Sequence, residues 1–324
     1  MYRLIHRTHY RYSYPVDVAN HVACLRPREL PHQHVLEFDL AITPQPAMFI
    51  ERADYFGNTH QIFTIQSPHR ELLVRSHALV EVQDATTPHP ATMIPWEAAR
   101  ESMPHDHSAQ GLDAYQFSFE SPRIPLRPAF AEYALKSFTP HRPLREALLH
   151  LTARIHADFT FKGGATSVST TVDEVFLKRV GVCQDFAQLQ IACLRSIRLA
   201  ARYVSGYLRT IPPPGKERII GADASHAWLS VYCPSASNLD KASTAAVPCE
   251  LSGASANSGQ ADSAPVWLDV DPTNNCEPHF DHITLAWGRD FSDVSPLRGL
   301  ILGGGKHTLK VGVDVEPIEE PALA

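Results

Sequence analysis

Alternation of apolar and polar side chains along the first 84 residues restricts the fold of this chain more than any other feature. The segment YRLIHRTHYRY divides its side chains between two strand faces, with Leu4, His6, Thr8, Tyr10 and Tyr12 on one and Arg3, Arg7 and Arg11 on the other. The segment HVLEFDLAITP continues the period-2 pattern with Leu36, Phe38 and Leu40. The segment FIERADYFGNTHQIFTIQ predicts a hairpin that turns at Gly57-Asn58. Residues 1–84 are therefore predicted to form an all-β, sandwich-like domain.

The rest of the chain is predicted to contain a linker and a second domain. Residues 85–128 are rich in proline and histidine and predict an irregular linker with a short helix near PWEAARESM. Within residues 129–324, helices are predicted at PAFAEYALKSF, PLREALLHLTARIHADF and VDEVFLKRVGVC, and strands at ARYVSGYLRT, SHAWLSVYC, PVWLDVDPTNN and HTLKVGVDVEP. Residues 235–264 contain almost no large apolar side chain, which predicts a flexible insertion in this domain.

Composition excludes several functional classes. The net charge of −6 argues against a nucleic-acid surface, which normally carries a basic excess. We find neither a signal peptide nor an apolar run that could span a bilayer, so we expect no membrane partner. The six cysteines show no CxxC pair and predict reduced thiols in a cytoplasmic protein. The histidines of PHQH and PHDH lack further ligands at metal-binding spacing, so we expect no metal and no other cofactor.

Cys183 is the first candidate functional residue, because it lies at the start of a predicted helix. In GVCQDFAQLQIACLRS, residues 181–196, an apolar stripe begins after it at steps of three and four: Phe186, Leu189, Cys193 and Ile197. The first amides of a helix lack internal acceptors and make that end electropositive. A thiolate there is stabilised and becomes nucleophilic near neutral pH. The alternative is that Cys183 is a small apolar residue beginning a core helix.

A histidine and two aspartates on the predicted strands complete a possible catalytic site. His226 in SHAWLSVYC and the pair Asp269 and Asp271 in WLDVDPTNN lie on strand faces that an antiparallel hairpin would bring together. Period 2 does not choose between the two aspartates. A cysteine nucleophile needs a base, and the base needs an orienting group. The residues therefore predict a Cys-His-Asp acyl-transfer site, with backbone donors at the helix start binding an oxyanion.

Three ordered motifs resemble a known family. GVCQDFAQLQIACLRSIRLAARYVSGY, DASHAWLSVY and WLDVDPTNN closely resemble the core of the transglutaminase-like superfamily, in its bacterial, cysteine-protease branch. The N-terminal strands, including DYFGNTH, resemble the β domain that precedes this core, and the trailing GRDFSDVSPLRGLILGGGKHTLKVGVDV is similar to its C-terminal closure. The resemblance implies an α+β fold, in which an all-β domain precedes a papain-like core. In that core, a helix bearing the cysteine packs on an antiparallel sheet bearing the histidine and aspartate.

The resemblance also assigns roles by position. Cys183 matches the nucleophile, His226 the base and Asp271 the orienting acid, which leaves Asp269 outside the triad. Gly181 matches a position where a side chain would obstruct the turn into the helix.

One departure from the crosslinking transglutaminases bears on the reaction. Those enzymes place a tryptophan directly after the cysteine, whereas Gln184 follows Cys183 here. We therefore expect hydrolysis of a peptide or isopeptide amide in a peptide or protein substrate. The alternatives are acyl transfer to an amine and a non-catalytic peptide-binding module on the same scaffold.

Overall fold

A computed structural model describes residues 1–83, 90–210, 224–234 and 266–318. The predicted insertion at 235–264 and Cys249 lie outside these residues. The first part of the described chain consists of strands: β1 (Tyr2–Ala23), β2 (Gln33–Thr43), β3 (Met48–Ala53), β4 (Thr59–Ile65) and β5 (His69–Val82). The next part is mainly helical: α1 (Trp96–Ser102), α2 (Ala109–Tyr115), α3 (Pro128–Leu135), α4 (Leu144–Asp158), β6 (Thr160–Phe161), α5 (Val172–Lys178), β7 (Val180–Gly181) and α6 (Cys183–Ser196).

Strands return in the last part: β8 (Ala201–Leu208), β9 (Ala224–Cys233), β10 (Val266–Val270), β11 (His282–Gly288), β12 (Leu297–Gly303) and β13 (His307–Pro317). Short 3-10 helices precede α1, follow it and follow α2, at Pro90–Met93, Met103–His105 and Gln116–Ser118. The fold is α+β, as expected. The segment predicted as an irregular linker thus contains α1, where a short helix was expected, and also α2. No helix in the described ranges combines the length and hydropathy needed to cross a bilayer.

Strand β1 organises the larger sheet. Among the described residues this sheet has seven strands, in the order β2-β5-β1-β4-β3, with β12 and β13 also paired to β1. The first half of β1 lies between β5 and β13, and its second half lies between β4 and β12. Its inner face contributes to an apolar core with residues such as Val16, Ala19, Phe63, Ile65 and Leu72. The predicted all-β region is confirmed.

Local predictions for this sheet are confirmed except at Leu36. Strands β3 and β4 form the predicted hairpin, and Gly57 has a φ of 74°, which favours glycine. Leu36 was predicted to share a strand face with Phe38 and Leu40, but it is 51% exposed whereas those two are half-buried. The register of β2 shifts between Val35 and Glu37, and such a bulge breaks the period-2 alternation.

Contacts divide the chain into two compact units. The β unit comprises residues 1–85, 204–227 and 278–324, and the helical unit comprises residues 86–203 and 228–277. A second sheet has the strand order β10-β9-β8-β11, and the chain passes from one unit to the other within β8 and within β9. Each unit thus collects residues from distant parts of the chain, and the linear boundaries at 84 and 128 remain a prediction.

Helix α6 lies at the centre of the helical unit, packed against α3, α4 and α5. The predicted stripe is buried, with Phe186, Leu189, Cys193 and Ile197 each at most 6% exposed. Burial extends beyond the stripe, because every residue from Asp185 to Arg195 is buried. Two of the buried polar side chains donate hydrogen bonds within the unit: Gln190 to the Thr152 hydroxyl at 2.8 Å, and Arg195 to the Ala201 carbonyl at 2.8 Å. Because α6 is enclosed along its length, its first residue is held by a rigid element.

Candidate active site

Cys183 is the first residue of α6 and is partly exposed. The residue before it, Val182, has extended backbone angles, so the chain enters the helix abruptly at the cysteine. The amides of the first turn have no acceptor within a helix and face outward from its N-terminus. This position confirms the predicted helix start at Cys183.

Asp185 fixes the start of α6. Its carboxylate accepts hydrogen bonds from the Val182 amide at 2.8 Å and from the Thr166 hydroxyl at 2.6 Å. The side chain is 2% exposed, and burial raises the pKa of the Asp185 carboxyl, with the Thr166 hydrogen bond opposing the shift. A carboxylate in the first turn also interacts favourably with the helix dipole. The residue therefore holds the turn that presents Cys183.

Gly181 is required by packing. A Cβ placed on this residue would lie 2.9 Å from the Asp185 Cβ and 3.0 Å from Cε1 of Phe186. Its carbonyl accepts from the Lys162 amide at 2.9 Å, which ties the segment before Cys183 to its neighbour. The expectation that a side chain here would obstruct the turn into the helix agrees with this geometry.

The other described cysteines differ from Cys183 in their surroundings. Cys24, Cys193 and Cys233 are buried, and burial raises the pKa of each thiol to about 12. Cys276 is partly exposed. Burial, followed by the charges of Asp271 and Glu277, raises the pKa of its thiol to about 11. A thiol with a raised pKa is a poor nucleophile at neutral pH.

His226 lies on β9 and is 5% exposed. Both faces of this strand are buried next to it, with Ala227, Leu229 and Val231 on one face and Trp228 and Ser230 on the other. The ring of His226 lies 5.8 Å, centroid to centroid, from the ring of His282, the first residue of β11. The imidazole is therefore held among packed side chains.

Asp269 accepts hydrogen bonds from side chains of the neighbouring strand, β9. It lies directly opposite Ser230 in the β9–β10 ladder. One carboxylate oxygen accepts from the Trp228 indole N–H at 3.1 Å, and the other accepts from the Ser230 hydroxyl. Both oxygens therefore join the two strands to each other.

Asp271 follows β10 and is fully buried. Its backbone forms a bridge with Cys276, and the loop between them wraps around its carboxylate. One oxygen accepts from the amides of Thr273 at 2.8 Å and Asn274 at 3.2 Å, and the other accepts from the Asn274 side chain at 2.6 Å. Hydrogen bonds of this kind stabilise the charged carboxylate and fix its orientation.

Trp228 and Trp267 are packed as part of the helical unit. Trp228 is fully buried. The ring of Trp267 lies 5.6 Å from Phe117 and 5.4 Å from Tyr232, with the guanidinium of Arg202 above it at 4.0 Å. Ordinary core packing thus accounts for Trp267.

Sequence reasoning missed two residues of this region. Asp185 lies three residues after the N-cap Val182, where an acidic side chain can accept from the N-cap amide, but Val182 lacks the hydroxyl of the usual capping motif. His282 begins β11, 56 residues after His226 in sequence, and no local pattern connects the two.

Comparisons with known proteins agree with the fold. Residues 2–81 match the family described as Bacterial transglutaminase-like N-terminal region, and residues 132–240 match the Transglutaminase-like superfamily. An uncharacterised protein of Mycobacterium tuberculosis (strain ATCC 25618 / H37Rv) is 41% identical over 327 residues, covering 99% of this chain and 94% of that protein. One of Mycobacterium leprae (strain TN) is 26% identical over 316 residues, covering 97% of each.

A solved structure shares the architecture. The crystal structure of "a Putative Cysteine Protease from Cytophaga hutchinsonii" superimposes with a TM-score of 0.69 at 19% identity, covering 99% of this chain and 92% of that one. At that identity the likeness concerns the fold. The β-rich N-terminal region followed by a papain-like core, expected from the sequence, is the fold of this chain.

Proposed function

The chain belongs to the transglutaminase-like superfamily, and from that premise we propose that it is a cysteine-dependent hydrolase of peptide or isopeptide amide bonds. The observation that carries the proposal is the position of Cys183. It begins an enclosed helix and is partly exposed, whereas Cys24, Cys193 and Cys233 are buried and do not begin a helix. Cys276 is also partly exposed, but it lies beside the negative charges of Asp271 and Glu277. Residues 183, 226 and 271 also occur in the order expected for the nucleophile, base and acid of this superfamily.

The strand register supports His226 and Asp271 as the other members of the triad. Leu229 on β9 pairs with Val270 on β10, so Asp271 comes next, at the level of Trp228. His226 lies two residues before Trp228 on β9 and therefore on the same face of the strand. Asp269 already joins the two strands through both oxygens. We therefore assign Asp271 the orienting role.

The proposed reaction passes through a thioester. The Cys183 thiolate attacks the amide carbonyl carbon, and the backbone N–H groups at the start of α6 stabilise the oxyanion. His226, protonated and oriented by Asp271, gives a proton to the leaving nitrogen as the C–N bond breaks. His226 then takes a proton from water, which attacks the thioester, and the S–C bond breaks to release the carboxylic acid and restore the Cys183 thiolate beside protonated His226.

Digestion of an unbiased peptide library tests this proposal. We expect the protein to cleave a subset of peptides and Cys183→Ala to cleave none, while Cys276→Ala, the matched control, keeps wild-type cleavage. Cys183 should also be the cysteine alkylated first by iodoacetamide at pH 6, as mapped by mass spectrometry. Equal cleavage by Cys183→Ala, or faster alkylation of Cys276, would contradict the proposal.

A second arm of the same experiment distinguishes hydrolysis from amine transfer. The digest is repeated with an added primary amine, and mass spectrometry measures the masses of the product peptides to identify their new C-terminal groups. We expect free carboxylates, because the tryptophan that follows the nucleophile in crosslinking enzymes is replaced by Gln184. Amides of the added amine as the main products would make the protein a transferase.

A further inference from the structure

A cavity of about 1220 Å³ lies within the helical unit, away from Cys183. Its walls come from α1, α3, the segments around residues 103–105 and 115–119, and the C-terminal end of α6. Cys183 is the first residue of that helix. At a rise of 1.5 Å per residue the two ends of α6 are about 20 Å apart. The cavity is larger than the roughly 300–1000 Å³ of ordinary ligand pockets, so it can hold an extended molecule.

Apolar and aromatic side chains form much of the wall. Trp96, Tyr115, Phe119 and Leu135 all line the cavity. Phe119 is 52% exposed and Leu135 is 47% exposed, so this apolar part of the wall is accessible to water. The ring of Phe119 meets the edge of Tyr115 at 5.1 Å, which fixes its orientation. An apolar ligand body that covered Phe119 and Leu135 would gain the free energy of removing this surface from water.

The same wall is positively charged, although the chain as a whole carries a net charge of −6. Arg100, Arg195 and Arg198 line it, and Glu101, the acidic residue of the wall, is paired with Arg100 at 2.9 Å. Arg195 is 1% exposed and donates to the carbonyls of Ala201 and Phe119, which holds its charge in place. The wall therefore favours an anion.

Arg198 is the guanidinium best placed to bind that anion. It is exposed, and its backbone has a φ of 65°, just beyond the end of α6. Within the part of the chain that the structure describes, its side chain makes no hydrogen bond or ion pair. A guanidinium binds a carboxylate through two parallel hydrogen bonds, and this geometry gives the pair its specificity.

We propose that this cavity binds an amphiphilic carboxylate, a carboxylate carried on an aromatic or branched apolar body. The carboxylate pairs with Arg198, and the apolar body covers Phe119 and Leu135. Two sources share this chemistry: the C-terminus of a peptide that ends in an apolar residue, and a free aryl-alkyl acid. The proposal does not depend on the reaction assigned to Cys183.

Isothermal titration calorimetry on the full chain tests the proposal with two probes, N-acetyl-leucyl-phenylalanine and 3-phenylpropionate, and with the carboxamide of each. We expect at least one acid to bind, and its carboxamide to bind at least about tenfold more weakly, because the charged hydrogen bonds are lost. Tighter binding of the dipeptide acid would identify a peptide C-terminus as the ligand, and tighter binding of phenylpropionate would identify a free acid.

Three variants locate the binding. Arg198→Gln is expected to weaken binding of the acid at least about tenfold, whereas Arg52→Gln, which changes an exposed arginine on β3, keeps the wild-type affinity. Ala131→Trp fills the cavity from α3 and is expected to abolish binding, with its fold checked by circular dichroism. Equal affinity of acid and carboxamide, equal affinity of Arg198→Gln and Arg52→Gln, or no binding of either acid at about 5 mM would overturn the proposal.

Discussion

At the scale of single residues, hydrogen-bond partners distinguish Asp269 from Asp271, two residues that the strand pattern alone does not distinguish. Asp269 and Asp271 are two positions apart on one face of the chain. The carboxylate of Asp269 accepts from the side chains of Trp228 and Ser230 on the neighbouring strand. The carboxylate of Asp271 is fully buried and held by the loop that follows it. The first arrangement joins strands, and the second holds a charge in a fixed orientation.

This difference predicts opposite effects of two matched substitutions. Asp271→Asn is expected to reduce turnover strongly, because the base loses its orienting charge. The equivalent change in serine enzymes costs about ten-thousandfold, and we expect a smaller loss here than from Cys183→Ala. Asp269→Asn is expected to lower the melting temperature while turnover per folded molecule stays near wild type. Turnover on a cleaved library peptide and thermal melts measure the two effects.

Both variants must first be shown to fold. In Asp271→Asn the new amide would face the loop N–H donors that now bind the carboxylate, and this could unfold the variant. Circular dichroism and the melt show whether Asp271→Asn is folded. Near-wild-type turnover in both folded variants would remove Asp271 from the mechanism and leave Cys183 and His226 as a dyad.

At the scale of elements, the two neighbouring helices α5 and α6 begin with caps in different surroundings. The cap of α5 is an exposed capping box, in which Thr171 and Glu174 exchange hydrogen bonds. The start of α6 depends on the buried carboxylate of Asp185. A buried acceptor that is lost leaves its donors without partners, which costs more than the loss of an exposed one.

We therefore predict that Asp185→Ala lowers the free energy of unfolding by about 1–2 kcal/mol. It should also slow alkylation of Cys183 at pH 6, because the first turn of α6 frays. The matched control is Asp173→Ala, which changes an exposed acid in the first turn of α5 and should shift stability by less than about 0.5 kcal/mol. Urea unfolding and timed alkylation measure both effects, and equal results in the two variants would refute this role of Asp185.

At the scale of the whole molecule, buried histidines in the β unit link stability to pH. His6 is 2% exposed, with its ring between the Tyr207 hydroxyl at 2.8 Å and the Thr8 hydroxyl at 3.0 Å. Burial lowers its pKa to about 4. Burial, reinforced by the charge of His69, lowers the pKa of His21 to about 4 as well. Both imidazoles are therefore neutral in the folded protein at pH 5, where an unfolded histidine is mostly charged.

Stability should therefore fall as the pH drops from about 6.5 towards 4, because the unfolded chain binds protons that the folded chain does not. At pH 5 each histidine contributes a loss of at most about 2 kcal/mol relative to pH 7.5. The urea midpoint measures this change. His6→Gln keeps a polar side chain without the titration, and it should flatten the pH dependence, whereas exposed His107→Gln should leave it unchanged. An identical pH dependence in His6→Gln would show that His6 does not contribute.

Much of this protein was predictable from its sequence, because local patterns act over a few neighbouring residues. Period-2 alternation predicted the strands of β1 and β13, and steps of three and four predicted the buried stripe of α6. A motif order predicted the family, which the comparisons confirm. The pattern was wrong at Leu36, where one extra residue in β2 shifts the register.

Only the tertiary structure decided which side chains have which partners. The pairing of β13 with β1 joins residues about 300 positions apart. The rings of His226 on β9 and His282 on β11 lie next to each other, although no local pattern relates these two strands. The different partners of Asp269 and Asp271, and the cavity at the end of α6, arise in the same way. The physical reason is that spacing along the chain determines which face a side chain takes. What lies opposite that face depends on segments brought together by burial of the core.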